Sequence, residues 1–223
     1  GRTPGQTMIK KLPQFLALLA IVTSIFVGLG CVESPATVLF FDDFNGSEAY
    51  LWHVDQGDWS VINGAYYQRN SNITAPGLNP AFGGRMLSHI KGANYSDFEA
   101  TVEAQAFSPP MRHRELAMIF RATSDFQNFY HFRLKVGQTD GDDHIELWKY
   151  IDGDAVFLQR TPFNYQIDET FVFKLSANGD QIKAKVWRKG DSEPFGWALA
   201  VTDSDYSSGF FTLATYSTKG RFD

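Results

Sequence analysis

The chain is poor in cysteine, since its 223 residues include only Cys31. A single thiol excludes a disulfide within the chain and every metal cluster held by two to four thiolates. The protein is therefore not a small scaffold stabilised by disulfides. The position of Cys31, near the N-terminus, is more informative than its number.

Basic residues are also scarce. Lysine and arginine number 20 against 25 aspartates and glutamates, and beyond residue 31 the count is 17 bases against 25 acids. A domain that binds nucleic acid needs a basic surface to displace counterions from phosphates, so a nucleic-acid partner is excluded. Because 43% of the residues are hydrophobic and 15% are aromatic, the chain can bury a sizeable core.

Residues 8–31 have the layout of an export signal. Met8 and two nearby lysines precede an apolar run at residues 15–29, and small residues precede Cys31. This order of charged, apolar and small residues is typical of a signal peptide. The run is shorter than the roughly 20 residues of a membrane-spanning helix, so we expect export rather than a membrane span.

The same segment resembles a lipoprotein signal, in which Cys31 becomes the lipidated first residue of the mature protein. The alternative is an ordinary cleaved signal in which Cys31 has no role. Residues 1–7 precede the start and are expected to be upstream sequence, and residues 32–36 are expected to form a tether. The resemblance implies a protein of the cell envelope or cell surface that contacts the membrane through its lipid alone.

From Thr37 onward, apolar and polar residues alternate with a period of two between clusters of Gly, Asn and Asp, which predicts one strand after another. Strands are predicted at residues 97–107, 115–122, 128–136, 144–151, 155–160, 170–177, 181–188 and 209–217. No later stretch has the apolar stripe of a long helix. Many short strands predict a two-sheet sandwich or a barrel, because the apolar face of one sheet needs a partner.

Two tight hairpins are predicted from their turn residues. Asp152-Gly153 and Asn178-Gly179 each separate two predicted strands. Such turns require a positive φ, which glycine adopts without steric cost.

Several motifs in order resemble a known family. FDDFNG, GDWSVINGAYY, AMIFRATSDFQNFYHFRL, IELWKYIDGD and SSGFFTLATYSTKGRFD are similar to the concanavalin A-like jelly roll of LamG-like and carbohydrate-binding domains. The resemblance spans nearly all of residues 37–223 and implies an all-β sandwich of two antiparallel sheets. It also implies that the sequence stops one strand short. Because this family includes sugar-binding modules, adhesion domains and hydrolases, the fold alone does not identify the function.

Catalytic motifs are missing from the sequence. The ExDxxE strand of the family's hydrolase branch and the Gly-x-Ser-x-Gly elbow are both absent, and the histidines show no metal-binding spacing. Glycosidases hold two carboxylates about 5 Å or somewhat further apart. Glu99 and Glu103 share a strand face but lie roughly 13 Å apart along an extended strand. We assign no catalytic residue, and a pair drawn from different strands stays open.

The polar faces of the central strands suggest a binding surface. If these strands neighbour one another in sequence order, six side chains line one sheet face: Glu103, Arg121, His131, Arg133, Glu146 and Trp148. Sugars are bound in this way, with an aromatic ring against C–H groups and charged planar groups on hydroxyls. The alternative is a solvated face of ion pairs between strands, with Trp148 under a loop.

Acidic turns suggest calcium. Asp42 and Asp43 lie where members of the resembled family often hold a structural calcium, and Asp140 and Asp142 lie in a second acidic turn. Oxygen ligands suit this ion. The alternative is that these aspartates only form turns.

Three functions follow. The first is an exported, lipid-anchored domain that binds poly- or oligosaccharide or mediates adhesion. The second is a glycoside hydrolase or 3-keto-disaccharide hydrolase of the same fold. The third is a structural envelope protein that contacts other proteins and has no sugar site.

Overall fold

The structure, a computed structural model, describes residues 7–10, 37–46, 48–107, 113–137, 142–166 and 168–223. Its strands are β1 (Thr7–Lys10), β2 (Val38–Asp42), β3 (Trp52–Gln56), β4 (Trp59–Ile62), β5 (Ala65–Gln68), β6 (Met86–Ile90), β7 (Phe98–Ala106), β8 (Arg114–Ala122), β9 (Phe129–Val136), β10 (His144–Ile151), β11 (Asp154–Pro162), β12 (Thr170–Asn178), β13 (Gln181–Arg188), β14 (Leu199–Thr202), β15 (Phe210–Tyr216) and β16 (Gly220–Phe222). The only helix in the described residues is a 3-10 turn at Pro80–Phe82.

The strands form two antiparallel sheets. Sheet A has the order β14-β13-β12-β7-β16-β5-β4, with β1 beside β7 and β2 beside β1. Sheet B has the order β11-β10-β9-β8-β15-β6-β3. The predicted two-sheet antiparallel jelly-roll sandwich is confirmed.

The core lies between the sheets because each strand turns alternate residues inward. On β7 of sheet A, Phe98 is fully buried and meets Phe120 of β8 and Phe211 of β15, both from sheet B, edge to face at about 6 Å. Burying one such ring contributes about 1.5–3 kcal/mol, and edge-to-face contacts add to this. The alternate residues of the same strands are left on the two outer faces.

Both predicted hairpins are confirmed. Asp152 and Gly153 have φ values of 50° and 86° between β10 and β11, and Gly179 has a φ of 55° between β12 and β13. These turns require residues that tolerate the left-handed region. They fix the register of four strands.

Residues Thr7–Lys10 form a strand of sheet A, although the sequence predicts that they precede or begin a leader. β1 pairs with β2 on one side and with Glu99–Thr101 of β7 on the other. Ile9 is fully buried in the core. The alternation of Met8, Ile9 and Lys10 suits a strand, so this segment fits sheet A as well as it fits a leader.

Within the described ranges, no helix is long and apolar enough to cross a membrane.

Candidate functional site

The outer face of sheet B, the side turned away from sheet A, gathers four of the six predicted site residues. His131 and Arg133 lie on β9, and Glu146 and Trp148 lie on β10. Arg133 is opposite Glu146, and His131 is opposite Trp148, in the antiparallel register. Their neighbours in sequence, such as Phe132, point into the core. The period-two pattern therefore predicts this shared face correctly.

Glu146 organises the centre of this group. Its Oε2 accepts hydrogen bonds from Nε of Arg133 at 2.8 Å, from Nη2 of Arg133 at 2.6 Å and from the indole Nε1 of Trp148 at 2.8 Å. The guanidinium of Arg133 also lies 5.1 Å from the centre of the Trp148 ring. A cation over an indole adds roughly 0.5–2 kcal/mol. The ring is therefore held in one orientation from its edge and from one side.

Trp148 has an aromatic neighbour on the edge strand β11. The pairing of β10 with β11 shifts register between Leu147 and Trp148, and this irregularity sets Phe157 opposite Trp148. The two rings meet edge to face, with centres 5.1 Å apart. Phe157 is 47% exposed. The pair, which we call the aromatic platform, combines apolar ring surface with solvent access, as a sugar ring requires.

Sequence reasoning missed two charged residues that complete the group. Glu115 of β8 binds Arg133 through Nη1 and Oε1, and its Oε2 lies 3.5 Å from Nε of Arg85 and 3.6 Å from Nε2 of His131. Arg85 donates to the hydroxyl of Tyr150 at 2.6 Å. The position of Glu115 did give a signal, because it lies an even number of residues from Ile119 on β8 and therefore on the same face of the strand. Arg85 precedes β6 and gave none.

The charges in this group are matched. Burial alone would raise the pKa of Glu115, but Arg85, His113 and Arg133 lower it below its usual range. Burial, together with the nearby Arg85, lowers the pKa of His131 well below its usual value despite the Glu115 carboxylate. Glu115 is therefore ionised and His131 neutral near pH 7. The arrangement provides fixed hydrogen-bonding groups and no protonated carboxyl at Glu115.

The prediction that Glu103 shares this surface is wrong. Glu103 lies on β7, which belongs to sheet A, where it pairs with Lys189 at 2.5 Å. The strand that follows β7 in sequence crosses to the other sheet. Alternation predicts the face of a strand but not the sheet to which it belongs.

The prediction for Arg121 is also wrong. Its φ of 48° and the register shift between β8 and β15 turn its side chain away from the row of Ile119. The guanidinium is buried and donates to the carbonyl oxygens of Ser96, Gly179 and Tyr206 at 2.8–3.0 Å. Arg121 therefore joins three loops rather than facing a ligand.

A cleft of about 570 Å³ lies at the β3 end of the same molecule and was not predicted. It is lined by His53, Val54, Asp55, Gln56, Gly57, Asp58, Asn70, Ala75, Pro76, Gly77, Leu78, Asn79 and Phe82. Residues 70–79 form no strand and carry no periodic pattern, so the sequence offered no signal for it. Its volume is within the usual range for ligand pockets.

The proposed calcium ligands are engaged by the protein itself. Oδ1 of Asp42 accepts from the amide of Phe44 at 2.9 Å, and its Oδ2 accepts from the indole of Trp52 at 3.0 Å. Asp142 is paired with Lys135 at 3.1 Å, and Asp140 lies outside the described residues. Asp43 accepts from Asn45. Within the described ranges no three acidic, histidine or cysteine side chains form a metal-binding group, so these residues do not fit the ion as they stand.

No protein-family profile matches this sequence, and no curated protein matches it. Solved structures do resemble it. The carbohydrate-binding module CBM66 from Bacillus subtilis superposes with a TM-score of 0.61 at 17% identity, over 80% of this chain and 94% of that one.

Two enzymes are also similar. The Bacillus licheniformis β-glucanase gives a TM-score of 0.57 at 10% identity, over 82% of this chain and 94% of the glucanase. The xylan β-1,4-xylosidase from Bacillus halodurans C-125 gives 0.59 at 12% identity over 81% of this chain, which spans 37% of that enzyme. The antiparallel sheets and these superpositions show that the chain has the concanavalin A-like jelly-roll fold.

Proposed function

We propose that this domain binds carbohydrate on the outer face of sheet B, at the aromatic platform beside Arg133 and Glu146. The observation that carries the proposal is that Oε2 of Glu146 accepts three hydrogen bonds, two from the Arg133 guanidinium and one from the Trp148 indole, and so fixes both groups. A fixed aromatic ring next to fixed planar charged groups is the combination that recognises a sugar ring and its hydroxyls. The similarity of the fold to that of a carbohydrate-binding module supports it.

Trp148→Ala tests this site. Base–aromatic stacking in other proteins is worth about 1–3 kcal/mol per ring, and we expect a loss of that order for a sugar ring. The measurement is a binding isotherm on a glycan first selected from an array, with a thermal melt of the same sample. The matched control is Trp187→Ala, because Trp187 is also half-buried next to a cation, Lys185, but lies in sheet A.

Either of two results would contradict the site. One is a stable Trp148→Ala protein that binds as before, and the other is a glycan array with no ligand at all. A badly destabilised variant would show that Trp148 is a packing residue, since truncating a core tryptophan costs about 3–5 kcal/mol.

A glycoside hydrolase is the second candidate, because Glu115 and Glu146 bind the same guanidinium. Hydrolysis needs one carboxyl that is protonated and donates to the leaving group. The lowered pKa of Glu115 keeps that carboxyl ionised, and Oε2 of Glu146 is already occupied by three donors from Arg133 and Trp148. We therefore place binding first. Turnover of a sugar panel that disappears in Glu146→Gln would reverse this order.

We also propose that the protein is exported and anchored by lipid at Cys31. The support is the order of charged, apolar and small residues before Cys31. Cys31 lies outside the described residues. Labelling of cells with a radioactive or clickable acyl chain should mark the protein, and Cys31→Ser should abolish the mark.

A further inference from the structure

The cleft next to β3 has the composition of a binding site for a neutral ligand. The described residues that line it include Asp55 and Asp58 and neither lysine nor arginine. Both oxygens of Asp55 accept from Nδ1 of His89, at 2.8 and 3.0 Å. Asp58 is paired with Arg69 at 2.7 Å, and both side chains are about half exposed. An anionic ligand would meet the Asp55 carboxylate without a free cation in the lining to offset it.

The walls of the cleft are held by hydrogen bonds rather than left loose. Oε1 of Gln56 accepts from the amide of Asn79 at 2.6 Å, and its Nε2 donates to the carbonyl oxygen of Arg85 at 2.6 Å. The side chain of Asn79 caps the 3-10 turn by accepting from the amide of Ala81 at 3.0 Å. A wall fixed in this way presents its polar groups in one geometry, which lowers the entropic cost of binding.

Arg85 connects this cleft to the aromatic platform. Its Nη2 donates to the hydroxyl of Tyr150 on β10, and its backbone carbonyl oxygen receives the Gln56 side chain. Phe82 lines the cleft, and its backbone carbonyl oxygen accepts from Nη1 of Arg85 at 3.5 Å. The two regions are therefore joined by contacts across sheet B.

The separation of the two regions sets the length of a shared ligand. β10 and β3 are five strand spacings apart in sheet B, which corresponds to about 24 Å. One sugar ring is far shorter than this. A ligand that touches Trp148 and enters the cleft has to be an oligosaccharide.

We propose that the cleft is a second subsite, which takes a neutral sugar unit of the same oligosaccharide that lies on the aromatic platform. The proposal rests on the proposed function of that platform. Hydroxyl groups of the sugar donate to the aspartates and the amide side chain of Asn70, and its apolar side meets Val54, Leu78 and Phe82. Acidic sugars of equal length are excluded from the cleft by its carboxylates.

Two reporters in the full chain test this in one titration. Trp148 has an indole N–H, and His53 is more than half exposed at the cleft, so NMR resonances of both are followed as neutral xylo-, cello- and laminarihexaose are added. Hexagalacturonate is the acidic counterpart. Trp148→Phe and His53→Asn assign the two resonances.

We expect both resonances to shift with the same midpoint for a neutral hexasaccharide. Two cleft variants, Asp58→Asn and Ala75→Trp, should then weaken its binding about tenfold, as the loss of a hydrogen bond to a charged group implies. Asp58→Asn removes the negative charge and replaces one acceptor oxygen with an NH2 donor, and Ala75→Trp fills the cleft without removing a hydrogen bond. Asp191→Asn, an exposed aspartate on the loop after β13, is the control and should bind as the wild type does.

The other outcomes are distinct. A shift of Trp148 alone, with unchanged affinity in both cleft variants, would overturn the second subsite and leave the proposed function standing. A shift of the His53 resonance on addition of hexagalacturonate would show that the cleft accepts an acidic sugar, and would overturn the proposal that its ligand is neutral. If neither resonance moves with any hexasaccharide, both the subsite and the platform fail.

Discussion

Arg121 and Gly179 are joined by a hydrogen bond of 2.8 Å, from Nη1 of the guanidinium to the carbonyl oxygen at the tip of the β12–β13 hairpin. The same side chain donates to the carbonyl oxygens of Ser96 and Tyr206. One buried arginine therefore connects three loops at one end of the sandwich. Lysine has a single donor group on a flexible stem and does not reproduce this fork.

We therefore predict that both Arg121→Ala and Arg121→Lys destabilise the domain. Three backbone carbonyls would lose a donor whose own side chain is fully buried, and breaking such a network costs about 3–5 kcal/mol. Denaturant unfolding measures this. Arg188→Ala is the control, because Arg188 pairs with Glu169 at a surface where both side chains are 38% exposed, and such pairs are worth up to about 1 kcal/mol. If Arg121→Ala were as stable as the control Arg188→Ala, the role of Arg121 would be contradicted.

A second prediction concerns acid. The pKa of Glu115 is lower in the folded protein than its ordinary value of 4.5, so its contribution to stability is present above that value and is lost as pH falls below it. The pKa of His131 is also lowered. The unfolded chain therefore takes up a proton near pH 6.5 that the folded protein does not, and stability falls on acidification there as well.

Glu115→Gln should remove the first of these effects. At pH 7 the variant should be about 3–5 kcal/mol less stable, because Arg85 and Arg133 lose a buried partner. The difference from the wild type should shrink as pH falls from 5 to 3, as followed by denaturant unfolding at each pH. A constant difference over that range would show that Glu115 is not ionised in the fold.

A third prediction separates the two descriptions of the N-terminal segment. Removal of the leader at Cys31 would also remove β1, so Ile9→Ala should leave the melting temperature of the exported protein unchanged. If β1 is retained, the same substitution should cost about 2–5 kcal/mol, as for other fully buried isoleucines. Ile182→Ala, at another fully buried position of sheet A, is destabilising in either case. The N-terminal mass of the exported protein decides between the outcomes independently.

A fourth prediction concerns calcium. Both carboxylate oxygens of Asp42 already accept hydrogen bonds, from Phe44 and Trp52, so we expect a chelator to leave the melting temperature of the domain unchanged. An ion that binds only the folded state at 100 times its dissociation constant would instead add about 2.7 kcal/mol of stability. A chelator that lowers the melting temperature of the wild type but not of Asp42→Asn would contradict this prediction and would show that Asp42 gives up these contacts to bind the ion.

Local pattern accounts for what the sequence predicted well. The β9–β10 face was found because His131, Arg133, Glu146 and Trp148 alternate with core residues, and both hairpins were found because their glycines require a positive φ. The sheet to which Glu103 belongs depends on pairings between β7 and β12. Such pairings between distant segments are not encoded in the alternation of either strand.

Irregular backbone accounts for the remaining differences. Arg121 leaves the predicted row because a positive φ and a register shift interrupt the alternation there. The cleft is built by residues 70–79, which have no periodicity to read. Residues that act through loops or irregular positions therefore emerged only from the three-dimensional structure.

The placement of β16 has a consequence for synthesis of the protein. Gly220–Phe222 lies between β5 and β7, two strands made more than 110 residues earlier. While the ribosome is still making the later strands, β5 and β7 keep open edges, and sheet A cannot close. Pairings between such distant segments form slowly, and open edges attract other chains. Sheet A is therefore completed only after Gly220–Phe222 has left the ribosome, and the pairing of β5 and β7 through β16 has to form after synthesis of the strands between them.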